Sequence, residues 1–294
     1  MQQSIGDFDP PFTIFEPVAH LSPVVFNVPH AGRVYPQSFL DSARLGPLAL
    51  RRSEDAWVDR LFAGVVQLGA PLMVAHFPRA YLDLNREPGE LDPRLFREPP
   101  PPDANTRSAR VAGGLGTIPR VVGDGQEIYS GRISLESGLA RVESLYRPYH
   151  RALGLLLDRT VARFGCAVLV DCHSMPAPAG GRRGPPPDIV LGDRFGMSCA
   201  PALIAFLESG FRRHGYQVVR NRPYAGGFIT EHYGAPAIGR HALQVEINRT
   251  LYMDDATLAP DEGFDPLARD LTDVCAALLK ALPGLVMPLR HAAE

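Results

Sequence analysis

CAVLVDCHSMP, residues 166–176, is the stretch that decides the fold. Cys166 to Val170 is an apolar, β-branched run of strand length, and Asp171-Cys172-His173-Ser174 follow it. Upstream, Leu139, Val142, Leu145, Tyr146, Tyr149 and Leu153 recur at helical spacing, which predicts a helix from about Leu135 to Phe164. Pro148 should kink or divide it. Downstream comes a polar loop through Gly180-Gly181, Arg182-Arg183 and Pro185 to Pro187, then a second strand, DIVLG, at residues 188–192. The same alternation extends in both directions. Strands are expected at Val24 to Val28, Pro71 to Phe77, Tyr216 to Arg220 and His241 to Ile247. Helices are expected at Ser53 to Leu68, with Ser53 as N-cap, at Ala200 to His214, and at Pro266 to Leu282. Strands alternating with helices imply an α/β protein: three layers, α/β/α, around a mostly parallel or mixed central sheet. No internal repeat or linker divides the chain, so residues 1–294 read as one domain. The stretch from about Glu87 to Gly131 is rich in Pro, Gly and Arg and has no periodicity. It reads as a long loop, the kind that serves as a lid or a mobile segment.

The bulk properties narrow the class. With 45% hydrophobic and 21% charged residues in 294, the chain can bury a sizeable core. A formal net charge of −2, and basic residues only in short pairs such as Arg51-Arg52, argue against nucleic acid as a partner. Cys166, Cys172, Cys199 and Cys275 show no paired spacing, which suits a reducing cytoplasm better than a disulfide framework. The opening MQQSIGDFDPPF has neither a basic nor an apolar leader region, and no uncharged run reaches the roughly 18 residues of a membrane helix. The expectation is a cytoplasmic protein with a small-molecule partner; the sequence does not set an oligomeric state.

In open α/β sheets, ligands bind beyond the carboxyl ends of the strands. That rule picks out His30 after the first strand, and Arg79 with Asp83, Asn85 and Arg86 after the second. It also picks out Asp171 and His173 after CAVLV, and Glu246 with Asn248-Arg249 at the last strand. Two histidines, carboxylates and arginines on one edge suit a metal site beside an anion pocket. A zinc-type catalytic ion takes about three protein ligands, commonly histidine and carboxylate, with an open position for water. A nearby carboxylate then serves as base, and arginines clamp anionic groups. Each residue also has a plainer reading. His30 alone is more often a hydrogen-bonded loop residue than a ligand, and Asp171 with His173 could be a turn pair. Asp55 could only be stabilising the first turn of its helix. Arg86 could be an ion pair with Asp83 or Glu87. No HExxH motif settles the matter.

Six segments in order carry a resemblance: NVPHAGRVYP (27–36), EDAWVDRLF (54–62), RAYLDLNR (79–86), LVDCHSMP (169–176), PYAGGFITEHYG (223–234) and HALQVEINRTLYM (241–253). Together, over nearly the whole chain, they resemble the N-formylglutamate amidohydrolase family. The resemblance implies a phosphorylase/hydrolase-like fold akin to the carboxypeptidase and aspartoacylase hydrolases. It also implies a Zn2+ or other divalent ion, and cleavage of the amide of N-formyl-L-glutamate or a related N-acyl amino acid. By the same resemblance the metal ligands are His30, one of the Glu54-Asp55 pair (Asp55 preferred) and His173, with Asp171 orienting a ring. Glu246 is the general base, and Arg79 the oxyanion or second-carboxylate contact. Asn85 and Arg86 hold the substrate carboxylate, beside Gly226 and Gly227. The chain departs from the family pattern at Ala56-Trp57 and at Glu231, where an acid replaces a basic residue; a changed acyl or side-chain preference is expected there. Two other readings stand beside this one. A cofactor-free hydrolase built on Ser174 or Cys172 lacks a GxSxG elbow, and neighbouring strand residues point to opposite faces. A non-catalytic protein of the same fold would bind formylated amino acids without releasing formate.

Overall fold

A computed structural model describes residues 8–123, 125–176 and 186–286, so the loop expected through Gly180-Gly181, Arg182-Arg183 and Pro185 lies outside the described residues. The strands are β1 (Phe12–Phe15), β2 (Val24–Val28), β3 (Leu72–Ala75), β4 (Ala167–Met175), β5 (Ile189–Gly192), β6 (Val218–Arg220) and β7 (Arg240–Asn248). They form one sheet in the order β1-β3-β2-β4-β7-β5-β6. The central β3, β2, β4 and β7 are parallel; β1 pairs antiparallel to β3, and β5 antiparallel to β7. The sheet is therefore mixed with a parallel centre, as expected. The edge strand β1 was not anticipated: only four residues long, it offers too short an alternation to register.

The helices are α1 (Gln37–Ser42), α2 (Pro47–Arg51), α3 (Val58–Leu61), α4 (Ala109–Ala112), α5 (Leu135–Arg141), α6 (Arg147–Phe164), α7 (Pro201–Arg213), α8 (Phe228–Tyr233) and α9 (Phe264–Val286). One face of the sheet, carrying Val168, Val170, Cys172, Leu243 and Val245, packs against apolar residues of α3, α7 and α9. The other, carrying Val25, Leu169 and Ala242, packs against α6 and α8. This is the expected three-layer arrangement. A fully buried aliphatic side chain such as Leu169 contributes about 1.5–3 kcal/mol, so the two cores fix the strands that carry the site.

Four expectations change in detail. Pro148 does divide its helix: a π turn over Val142–Tyr146 separates α5 from α6, and the wider turn accommodates the missing N–H. The helix expected from Ser53 to Leu68 shrinks to α3 and a 3-10 turn at Ala63–Val66. Ser53 caps nothing; its hydroxyl donates to the Leu50 carbonyl at 3.0 Å. Arg249 takes the carbonyls of Arg52 and Glu54, and Asp55 N donates to His30 O at 2.9 Å, so the backbone of 52–55 is unavailable to a helix. Trp57 then turns the chain in the left-handed region, φ 68°. Strands β4 and β7 run past their expected ends, pairing in register from Ala167 with Arg240 to Met175 with Asn248. Finally, 87–131 has few regular elements, as expected, but is not a free arm. Leu91, Leu95, Phe96, Ile118, Val122, Ile128 and Tyr129 are buried in the second core. Their irregular spacing hid this from a periodicity reading.

Candidate active site

Strand alternation builds the site. On β4 the side chains of Leu169, Asp171 and His173 share one face, while Val170 and Cys172 take the other. On β7 Ala242, Gln244 and Glu246 continue the same face, and the register sets His173 beside Glu246 and Asp171 beside Gln244. On β2 the equivalent succession is Val25 then Asn27, with Asn27 opposite Asp171. On this face β2, β4 and β7 are thus apolar where helices cover them and polar toward their carboxyl ends, where a cavity of about 490 Å³ opens.

His30, Asp55 and His173 converge there, all buried, each offering one ligand atom within 4.8 Å of the others. Asp55 Oδ2 stands 2.9 Å from His173 Nδ1 and 3.4 Å from His30 Nδ1. Each ring is turned by a second carboxylate: His173 Nε2 lies 2.8 Å from Asp171 Oδ2, and His30 Nε2 2.8 Å from Asp83 Oδ1. Those contacts suit an N–H on Nε2 of each ring and turn both Nδ1 atoms toward Asp55. His30 Nδ1 is buried and makes no hydrogen bond. Burial alone would lower the His173 pKa, but the carboxylates of Asp171 and Asp55 hold it well above the usual imidazole range. Two imidazole nitrogens and a carboxylate facing one another, each ring backed by a further carboxylate, form a donor set suited to a divalent cation once the rings are deprotonated.

The positioning groups are themselves held. Asn27 Nδ2 donates to Asp171 Oδ1 at 2.7 Å, and the Tyr149 hydroxyl donates to Asn27 Oδ1 at 2.5 Å. Asp83 accepts from Asn85 N at 2.8 Å and pairs with Arg79 Nε at 2.9 Å. Arg249, 5% exposed, reaches Asp55 Oδ1 at 3.3 Å and takes Ser174 Oγ at 3.1 Å. The sequence had marked Asp83 and Arg249 only by position; no local pattern signals that they serve His30 and Asp55. Asp171 beside His173 agrees with expectation. Of the Glu54-Asp55 pair, Asp55 enters the cluster, whereas Glu54 accepts from Tyr35 OH at 2.7 Å and pairs with Arg51.

Glu246 faces the cavity beside His173, its Oε1 accepting from Gln244 Nε2 at 2.6 Å. Burial raises its carboxyl to about 7; Asp55 and Asp171 push the same way, and His173 and Arg79 oppose them. Arg79, Asn85, Arg86, Gly226 and Gly227 also line the cavity. Asn85 Oδ1 accepts from Ile229 N at 2.8 Å, while its Nδ2 lies 3.4 Å from both His173 Nε2 and Gln244 Oε1. Gly227 is required for that approach, since a Cβ there would stand 2.3 Å from Asn85 Oδ1. Cys172 lies in the opposite core with its thiol turned to Val170 O, and Ser174 receives Arg249, so neither meets an imidazole base. The two departures from the family pattern fall outside the cavity. Ala56 is in the core, Trp57 donates to Leu258 O, and Glu231 pairs with Arg194 at 2.9 Å on the surface; the change of preference expected from them has no contact to act through.

Comparison with known proteins defines the class. A crystal structure of N-formylglutamate amidohydrolase from Ralstonia eutropha JMP134 matches with a TM-score of 0.88 and 36% identity, covering 93% of this chain and 99% of that one. A gene product of Agrobacterium tumefaciens shares the fold, with a TM-score of 0.62 and 19% identity over 93% of this chain and 96% of its own. N-formylglutamate deformylase of Pseudomonas aeruginosa is 32% identical over 268 residues, 88% of this chain and 92% of that protein. The chain is a hydrolase with an α/β fold that acts on an amide bond.

The family can be given as well. Residues 22–253 match the N-formylglutamate amidohydrolase family, and the chain belongs to it.

Proposed function

We propose that this chain hydrolyses the amide of N-formyl-L-glutamate, or of a closely related N-acyl amino acid, to the free amino acid and formate or the corresponding carboxylate. The Pseudomonas deformylase and the Ralstonia amidohydrolase, both named for N-formylglutamate, support this choice of substrate. The observation that carries the metal dependence is the convergence of His30 Nδ1, Asp55 Oδ2 and His173 Nδ1, with His30 Nδ1 buried and without a hydrogen bond. These three atoms would hold a divalent ion such as Zn2+. Such an ion supplies Lewis acidity, which acidifies a water and polarises the amide carbonyl.

The chain's own residues supply the rest. Glu246 takes the proton from the attacking water and passes it to the departing amine nitrogen, a task suited to a carboxyl near neutrality. Arg79, anchored by Asp83, presents cationic N–H groups where negative charge develops on the carbonyl oxygen. Arg86 and Asn85 Nδ2 hold the substrate α-carboxylate, and the Gly226-Gly227 turn forms the wall against which the substrate lies. The test is formate release over a panel of N-formyl amino acids, with and without removal of metal by a chelator. Formate from N-formyl-L-glutamate that is lost on chelation and restored by Zn2+ is the expected result. Full activity in exhaustively chelated protein would refute the metal-dependent reading.

A further inference from the structure

Five arginines line the cavity, Arg52, Arg79, Arg86, Arg110 and Arg249, against the carboxylates of Asp83 and Glu246. Most are engaged within the protein. Arg249 is bound to Asp55 and Ser174, Arg79 pairs with Asp83, and Arg52 has a partner too. Arg86 gives Nε to Leu115 O and Nη1 to Asn85 O, both at 2.8 Å, and its Nη2 stands 3.5 Å from Asp83. Among the described residues, Arg110 is the member of the five whose guanidinium has neither an ion pair nor a side-chain hydrogen bond.

Its mount is nevertheless fixed. Arg110 belongs to α4, where Ser108 Oγ accepts from Val111 N at 3.1 Å and the Arg110 carbonyl accepts from Leu115 N at 2.8 Å. The Arg94 guanidinium holds the carbonyls of Val111 and Ala112 at 3.1 and 2.7 Å, and Val111 is buried. A half-buried cation on a fixed backbone, lining a polar cavity and without an ion pair among the described residues, is arranged for an anion from outside. Arg79 feels Asp55 and Glu246, and Arg86 feels both Arg79 and Arg110, so Arg110 shares the cavity's positive charge with Arg86. Burial, reinforced by repulsion from Arg79 and Arg110, pushes the Arg86 guanidinium down to about 10 despite Asp83. A second negative charge on the substrate would relieve that crowding.

We infer that Arg110 binds a second anionic group on the substrate, the side-chain carboxylate of an N-acyl dicarboxylic amino acid, and so sets the preference for acidic over neutral substrates. The inference rests on the amide-hydrolase reading above. It places selectivity on the long 87–131 segment, which meets the far end of the substrate, whereas the strands meet the scissile end.

The test compares N-formyl-L-glutamate with its uncharged isostere N-formyl-L-glutamine, in wild type and in Arg110→Gln and Arg110→Lys. For Arg110→Gln, kcat/KM on the glutamate substrate should fall about 10- to 100-fold, mainly through KM, as expected for losing a charge-assisted hydrogen-bonded pair. The glutamine substrate should change little, and Arg110→Lys should recover part of the loss. Equal losses on both substrates, or no loss on either, would overturn the inference. A second measurement separates it from the proposed function: calorimetric binding of N-formyl-L-glutamate in a Glu246→Gln background, with and without Arg110→Gln. Weaker binding only in the double variant supports Arg110 even if wild type releases no formate. Unchanged binding overturns Arg110 even if turnover is normal.

Discussion

His173 and His150 are both largely removed from solvent on the face of the sheet that carries Leu169, and their surroundings differ. His173 has Asp55 at one nitrogen and Asp171 at the other, two carboxylates that raise the basicity of the ring. His150 lies between Tyr146, Phe228 and Tyr233, with Nε2 at 3.0 Å from the Leu84 carbonyl and Nδ1 at 3.0 Å from the Tyr233 hydroxyl. Burial lowers its pKa to about 4. One imidazole is a base supported by carboxylates, suited to a cation; the other is a neutral strut beneath the turn that carries Asp83 and Asn85. Burial alone does not make a histidine a ligand. Its second partner does.

The strongest way to sharpen this contrast lies beside His173, at Glu246. Glu246→Gln should lower turnover by about 10²- to 10⁴-fold, the range for a lost general base, while metal content measured on the same protein stays unchanged. Loss of metal in that variant would mean that Glu246 is a ligand and not the base.

The next effect concerns His150 and pH. Its folded pKa, about 4, lies below the unfolded value of about 6.5, so the neutral imidazole contributes stability that is fully present above 6.5. That contribution is lost as pH falls from about 6.5 through 4, by about 3 kcal/mol at 1.36 kcal/mol per unit. Urea denaturation at several pH values should show the stability gap between wild type and His150→Gln closing by about that much over this window. A constant gap would mean that burial does not hold His150 in its neutral form.

A smaller effect is expected at the carboxylates that turn the ligand rings. Asp171→Asn or Asp83→Asn should weaken metal affinity about 10- to 100-fold without abolishing it, as measured by competition with a chromophoric chelator. The least effect is expected at Glu231, whose pair with Arg194 is exposed. Glu231→Ala should change stability by less than about 1 kcal/mol and leave kcat/KM unchanged, and a shift in substrate preference would bring the family departure back into the site.

Much of this arrangement was legible in the sequence, for reasons the strands make clear. Apolar β-branched runs located the central parallel strands, and the strand-end rule brought His30, His173 and Glu246 to one edge. The exact reach of β4 was hidden because Asp171 and His173 are polar residues inside a pairing strand, and polarity normally reads as a loop. Asp55 was set in a helical turn because local spacing cannot register Arg249, which draws off the carbonyls of residues 52 and 54 from nearly two hundred residues downstream. Nothing in the 87–131 stretch announced a packed wall, since its buried residues follow no period. His150 and His173 also look alike in sequence, each a histidine next to aromatic or apolar neighbours. Asp171, two residues before His173, already marks one difference; the second carboxylate, Asp55, comes from tertiary structure.

The central claim is that His30, Asp55 and His173 hold a metal required for amide hydrolysis. Its most direct test is the metal content and formate release of purified His173→Ala beside wild type, with circular dichroism to verify folding. Wild type should carry about one divalent ion per chain and release formate from N-formyl-L-glutamate, and the folded variant should do neither. A folded His173→Ala protein that kept both its ion and full turnover would contradict the account.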